Sequence, residues 1–123
     1  MMNNLEILTK SEFLPEYSSN EKALFLFSYK IKIKNLGLEN VQLVSRHWDI
    51  EDSLGRMKVV DGEGVVGEKP IIKPGESFEY KSFCPLNTSL GYMKGFYTLK
   101  DEKGNLFKVS IPKFGLVIPN YIN

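Results

Sequence analysis

The chain predicts an all-β fold, an antiparallel two-sheet sandwich of about seven strands. Three observations predict it. Nearly every segment alternates apolar and polar residues with period two. Turn-forming residues punctuate the chain at roughly even spacing. No window sustains the apolar spacing of an amphipathic helix. A small closed barrel is the alternative arrangement of the same strands.

Residues 5–16 form the first strand, with Pro15 as an interruption, and Ser18-Ser19-Asn20 turns into the second. The second, 22–34, alternates most clearly. Ala23, Phe25, Phe27, Tyr29, Ile31 and Ile33 share one parity, and Lys30, Lys32 and Lys34 share the other. A pleated strand puts these sets on opposite faces, one dry and one wet. Leu24 and Leu26 fall with the lysines, so the first half of this strand is expected to be covered on both faces. The third strand spans 41–51, with Val44, Trp48 and Ile50 in phase. Asp52-Ser53-Leu54-Gly55 turns into a fourth at 56–60. The fifth, 77–84, sets Phe78, Tyr80 and Cys84 on one face. In the sixth, 92–99, Tyr92 and Phe96 oppose Met93, Tyr97 and Leu99. Asp101-Glu102-Lys103-Gly104 is a hairpin loop with glycine where a positive φ is needed. Residues 106–111 form the seventh strand, and Pro112 and Pro119 place 113–123 at an edge or in a tail.

At 123 residues the chain is expected to be one domain, 1–123, with enough core to stand without staples. A net charge of +1 supplies no field to gather nucleic acid or an acidic membrane surface. One cysteine excludes an internal disulfide, which fits a reducing compartment. There is no signal-peptide pattern and no apolar run approaching ~18 residues, so a cytoplasmic protein with no membrane span is expected.

Gly62-Glu63-Gly64-Val65-Val66-Gly67 spells G-x-G-x-x-G, the pattern of a dinucleotide-binding loop. That pattern works when a strand enters and a helix leaves, its N-terminus facing a pyrophosphate. Here Pro70 and Pro74 follow, and either one breaks a helix interior. The segment is therefore expected to be a glycine loop between strands.

A larger ordered set of motifs carries a family resemblance. Val44-Ser45-Arg46-His47-Trp48-Asp49-Ile50, Gly55-Arg56, the glycine segment through Pro70, and Pro74-Gly75-Glu76-Ser77-Phe78-Glu79-Tyr80 belong to it. So do Cys84-Pro85-Leu86, Gly91, Met93, Gly95, Tyr97, Ile111-Pro112-Lys113-Phe114 and Leu116-Val117-Ile118-Pro119. Together they resemble the ApaG family over nearly the whole chain. The resemblance implies a fibronectin type III-like, immunoglobulin-like sandwich. It also implies one of three functional settings. Some bacterial members carry the name CorD and are linked to cobalt tolerance and magnesium efflux. In eukaryotes the domain sits within F-box proteins and a polymerase-interacting protein, mediating protein contacts. For the glycine loop the resemblance carries a proposal that it holds a nucleotide pyrophosphate.

Four constellations offer chemistry. Gly62, Gly64 and Gly67 could present backbone N–H groups as an anion nest, with Lys69 or Lys73 supplying charge. Glu63 and Glu68 oppose that role, and a tight reversal between strands explains the glycines equally. His47, Asp49 and Glu51 share a parity on the third strand, a donor set suited to a divalent transition metal. A solvent-facing polar row is the preferred explanation, and no metal site or cofactor is assigned. Cys84 and His47 allow one thiol–imidazole pair, but Cys84 is in phase with core aromatics and reads as a small hydrophobe. Lys30, Lys32 and Lys34 form a basic stripe that more often keeps an exposed strand soluble than binds nucleic acid.

No complete catalytic constellation is present, so a non-enzymatic binding module for a protein partner is the leading expectation. Its contact surface is placed on loop 61–75, at Val65, Val66, Ile71 and Ile72, with a homodimer as one possible outcome. The alternative is a ligand-responsive protein of divalent-cation homeostasis, taking a metal ion, or a nucleotide pyrophosphate at Gly62, Gly64, Gly67 and Lys69.

Overall fold

The computed structural model describes residues 4–119. Its strands are β1 (Leu5–Phe13), β2 (Phe25–Asn35), β3 (Val41–Asp52), β4 (Met57–Glu63), β5 (Ile71–Ile72), β6 (Ser77–Leu86), β7 (Leu90–Lys100) and β8 (Leu106–Val117). A single 3-10 turn, Pro15–Tyr17, follows β1. The strands form a three-stranded sheet ordered β1-β2-β6 and a five-stranded sheet ordered β4-β3-β7-β8, with β5 paired to β3 beyond the end of β4. All pairings are antiparallel.

Alternation decides which faces meet. In β2, Phe27, Ile31 and Ile33 are fully buried and Lys30 and Lys32 are exposed. β6 contributes Tyr80, Cys84 and Leu86 to the same interior, and β7 contributes Met93, Tyr97 and Leu99. Trp48 sits at the centre, edge-on to Tyr29 with ring centroids 5.4 Å apart and to Phe114 at 5.9 Å. Aromatic edge-to-face pairs of this kind add about 0.5–1.5 kcal/mol each beyond the area they bury.

Two bulges switch parity, which simple alternation does not anticipate. Val41 and Leu43 face inward at the start of β3, yet so does Trp48 further on. The register against β7 slips between Leu43 and Ser45, which makes Val44 the unpaired extra residue. Val44 is therefore out of the core phase in which Trp48 and Ile50 stand. In β8 the register slips between Ile111 and Phe114, around Pro112. A proline lacks the ladder N–H, and an edge-strand bulge is where one is tolerated. The strand accordingly runs on to Val117 instead of stopping at residue 111, still at a sheet edge.

Two further differences lie in the turns. The expected second strand begins at Phe25, not at residue 22. Ser19 and Leu24 close a tight loop in which Ala23 adopts φ +49, so Ala23 and Leu24 are exposed. β5 is an additional short strand. Buried Asn35 holds it, its Nδ2 donating to the Ile72 carbonyl at 2.9 Å and the Glu39 carbonyl at 2.7 Å.

The two sides of the sandwich differ. On one, β1 packs on β8 and Ser11 Oγ donates to the Gly115 carbonyl at 2.7 Å. No ladder joins the sheets there, so this is a sandwich and not a barrel. On the other side the edges β4 and β6 stay apart, with a cleft between them.

Candidate functional site

No helix leaves the glycine segment, which is a hairpin between β4 and β5. Val65 N–H donates to the Glu68 carbonyl at 2.8 Å and Glu68 N–H returns a bond to Val65 at 2.9 Å. Val66 and Gly67 occupy the two central positions with φ +41 and +81, the pattern of a type I′ turn. The Val44 carbonyl, beside the β3 bulge, accepts from Gly64 N–H at 2.7 Å. Thus the N–H groups of Gly64, Val65 and Glu68 are already committed within the chain, and they do not form an open anion nest. Lys69 is also engaged, its Nζ lying 2.6 Å from Glu63 Oε1, so the lysine expected to meet a phosphate is paired with a carboxylate.

The glycines have specific steric reasons. A Cβ on Gly64 would stand 2.2 Å from the Glu68 carbonyl oxygen. A Cβ on Gly62 would stand 2.7 Å from the Arg46 guanidinium. Arg46 lies across Gly62 and donates from Nη1 to the Gly64 carbonyl at 2.9 Å and the Glu63 carbonyl at 3.1 Å. The motif therefore seats an arginine against a hairpin.

The expected apolar contact surface needs correction. Val65 is 0% exposed and Ile72 2%, so both belong to the core and neither can meet a partner. The Asn35 clamp turns Ile72 inward, and the hairpin folds Val65 beneath itself. Val66 and Ile71 remain exposed. They continue the free edge of the five-stranded sheet, which runs through β4, the hairpin and β5, and on which Met57 and Val59 are also exposed.

His47 and Asp49 do lie together on the outer face of β3, but their third partner is Asp61 of β4 and not Glu51. His47 Nδ1 is 2.6 Å from Asp61 Oδ1 and Nε2 is 3.1 Å from Asp49 Oδ1. The ring stacks on Phe96, centroids 4.6 Å apart. The hydrogen bond to Asp61 raises the His47 pKa above its ordinary value, partial burial opposes the rise, and Asp49 adds to it. Both ring nitrogens thus face carboxylate oxygens within the chain. Among the described residues, no group of three or more His, Cys, Asp and Glu is disposed to hold one. Cys84 is 2% exposed, and burial pushes its thiol up to about 11, which suits a core residue and not a nucleophile. The lysine stripe sits on the outer face of the three-stranded sheet, where Lys30 lies directly between Lys10 and Lys81.

A site that alternation alone could not reveal lies on the open side. Between β4 and β6 is a cleft of about 200 Å³. Trp48, Ile50 and Met93 line it from within, Lys58 and Val60 from β4, and Ser82 through Pro85 from β6. Tyr29 and Arg46 complete the lining. A second hollow further along the same opening shares Ile50, Lys58 and Pro85. Arg46 shares the parity of Trp48 and Ile50 in β3, so the sequence signal for this site was a charged residue standing in a core phase.

Comparison with known proteins bears on this geometry. The family model described as the ApaG domain matches residues 15–101. Protein ApaG of Afipia carboxidovorans is 50% identical over 116 residues, 94% of this chain and 89% of that protein. Protein ApaG of Bradyrhizobium diazoefficiens is 46% identical over the same shares. A crystal structure of a Bordetella pertussis protein named ApaA superposes with a TM-score of 0.93 at 40% identity, covering 96% of each chain.

Proposed function

This chain belongs to the ApaG family, and from that premise we propose that it is a non-enzymatic protein-binding module of the reducing cytoplasm. It would take an extended segment of a partner along the free edge formed by β4, the glycine hairpin and β5. The observation that carries this proposal is the asymmetry of the sandwich. One pair of sheet edges is packed together at β1 and β8, while among the described residues β4 has no strand on its outer side. A free edge presents unpaired backbone N–H and C=O groups, and pairing with an added strand satisfies them. Met57 and Val59 are each more than half exposed beside that edge, where they offer apolar contacts to the added strand.

The lone thiol, buried and unactivated, supports both the non-enzymatic role and a reducing compartment. The alternative in divalent-cation homeostasis draws less support, because the N–H groups of Gly64, Val65 and Glu68, Lys69 and both nitrogens of His47 are already engaged.

The test is paired capture from lysate with the native chain and a Met57→Lys, Val59→Lys variant as baits. Both substituted side chains are exposed, so the variant is expected to keep the native melting temperature. A partner held by the native bait and lost by the variant supports edge binding. A partner held equally by both removes the β4 edge from consideration. Light scattering on each bait reports whether the partner is a second copy of the chain.

A further inference from the structure

Arg46 is the unusual charge of this protein. It extends from the inward-facing parity of β3 beside Trp48, and its side chain is only partly exposed. Its Nη1 is held by two backbone carbonyls, while Nε and Nη2 have no hydrogen-bond partner among the described residues. No carboxylate among those residues lies within ion-pair distance of it. A guanidinium so placed has lost part of its hydration without gaining a counter-charge, which is costly unless something else supplies one.

The surroundings narrow what that could be. The cleft that Arg46 lines is apolar at Trp48, Ile50, Val60 and Met93. Tyr29 and Ser82 add hydroxyl groups, and Lys58 adds a second cation from β4. We propose that the cleft between β4 and β6 is a binding site for a small organic monocarboxylate with an apolar body, its carboxylate paired with Arg46.

Charge and volume both favour this class. One guanidinium fork matches one carboxylate in charge and in planar two-point geometry. A phosphate brings more charge and more lone pairs than this half-apolar slot can satisfy, and among the described residues the cleft has no helix N-terminus or open N–H nest to help. An apolar cavity near 150 Å³ holds a benzene-sized body. The ≈ 200 Å³ here therefore has room for a ring or branched chain plus the carboxylate. The site shares the open side with the proposed partner edge but does not depend on a protein partner. Its ligand is recognised by side chains inside the cleft, and its test is read on the isolated chain.

Trp48 is the chain's only tryptophan, so its indole N–H resonance and its fluorescence report the cleft without ambiguity. The purified protein is titrated with phenylpropionate, with the neutral phenylpropionamide, and with inorganic phosphate. The expected result is a saturable change at Trp48 with phenylpropionate and only weak, unsaturated change with the amide or phosphate. Arg46→Gln is expected to weaken phenylpropionate by about tenfold or more, the worth of a charged hydrogen bond. Because Arg46 also holds the hairpin, Lys58→Glu is the second variant. It is an exposed site on the cleft wall, where a carboxylate replaces the second cation and repels that of the ligand, and it is expected to weaken binding while the melting temperature holds. No response at Trp48 to phenylpropionate overturns the proposal, as does an equal response to the amide. Tighter saturation by phosphate overturns the assignment of ligand class. Unchanged affinity in Lys58→Glu overturns the placement in the cleft.

Discussion

Gly95 tests how closely the five-stranded sheet is packed behind the cleft. It stands opposite Trp48 in the β3–β7 ladder, and a Cβ built on it would lie 1.9 Å from the His47 carbonyl oxygen. Real Cβ contacts essentially never fall below 3.0 Å, so Gly95→Ala must open the two strands by about 1 Å at that point. The obstructing atom is backbone, and no rotamer change relieves it. A ladder bond of ~2.9 Å stretched by that amount is no longer a hydrogen bond. Two buried groups left short at about 1–3 kcal/mol each, with strain of about 1–3 kcal/mol, put the loss at about 3–9 kcal/mol. Glycine-to-alanine within a strand ordinarily gains about 0.5–1 kcal/mol, so the sign itself is diagnostic. Equilibrium urea unfolding followed by Trp48 fluorescence measures it. With a slope of about 1–3 kcal/mol per molar, the midpoint is expected to fall by roughly 2 M. Gly104→Ala is the comparison, since its Cβ meets nothing and only its φ of +85 is at issue. That substitution is expected to cost about 1–2 kcal/mol. A Gly95→Ala midpoint at or above the native one would refute the close-approach reasoning.

The hairpin tip offers the opposite sign: Val66 is β-branched at φ +41, and Val66→Asn is expected to add about 1 kcal/mol, seen as a higher melting temperature. Val65→Asp, at the adjacent position but 0% exposed, is expected to unfold the protein, which circular dichroism decides. His47 is stabilised in its protonated form by Asp61 and Asp49, so its contribution is complete below the ordinary histidine value of 6.5. That contribution is lost as pH rises through the elevated folded pKa, and His47→Gln is expected to flatten the stability–pH profile there. Lys30→Glu replaces two like-charge cross-strand neighbours, Lys10 and Lys81, with two opposite-charge pairs, and is expected to raise stability by about 0.5–2 kcal/mol, less at high salt.

The sequence by itself determined the fold class, most strand boundaries to within a few residues and the ApaG resemblance, because side-chain alternation is a local property of a pleated strand. It also excluded the helix after the glycine segment, since Pro70 and Pro74 act on their own neighbourhood. Tertiary structure decided what depends on pairing. Alternation cannot announce a bulge, so the inward facing of Val41 and Leu43 before Val44, and the continuation of β8 past Pro112, emerge only from the register against β7. Val65 and Ile72 look like surface residues in a glycine- and proline-rich loop until Asn35 and the hairpin bonds draw them inside. His47 finds its nearest carboxylate on Asp61, fourteen positions along, because β4 folds back beside β3. Which sheet edges are closed and which stay open is likewise fixed by contacts between residues as far apart as Ser11 and Gly115, and that choice positions the cleft.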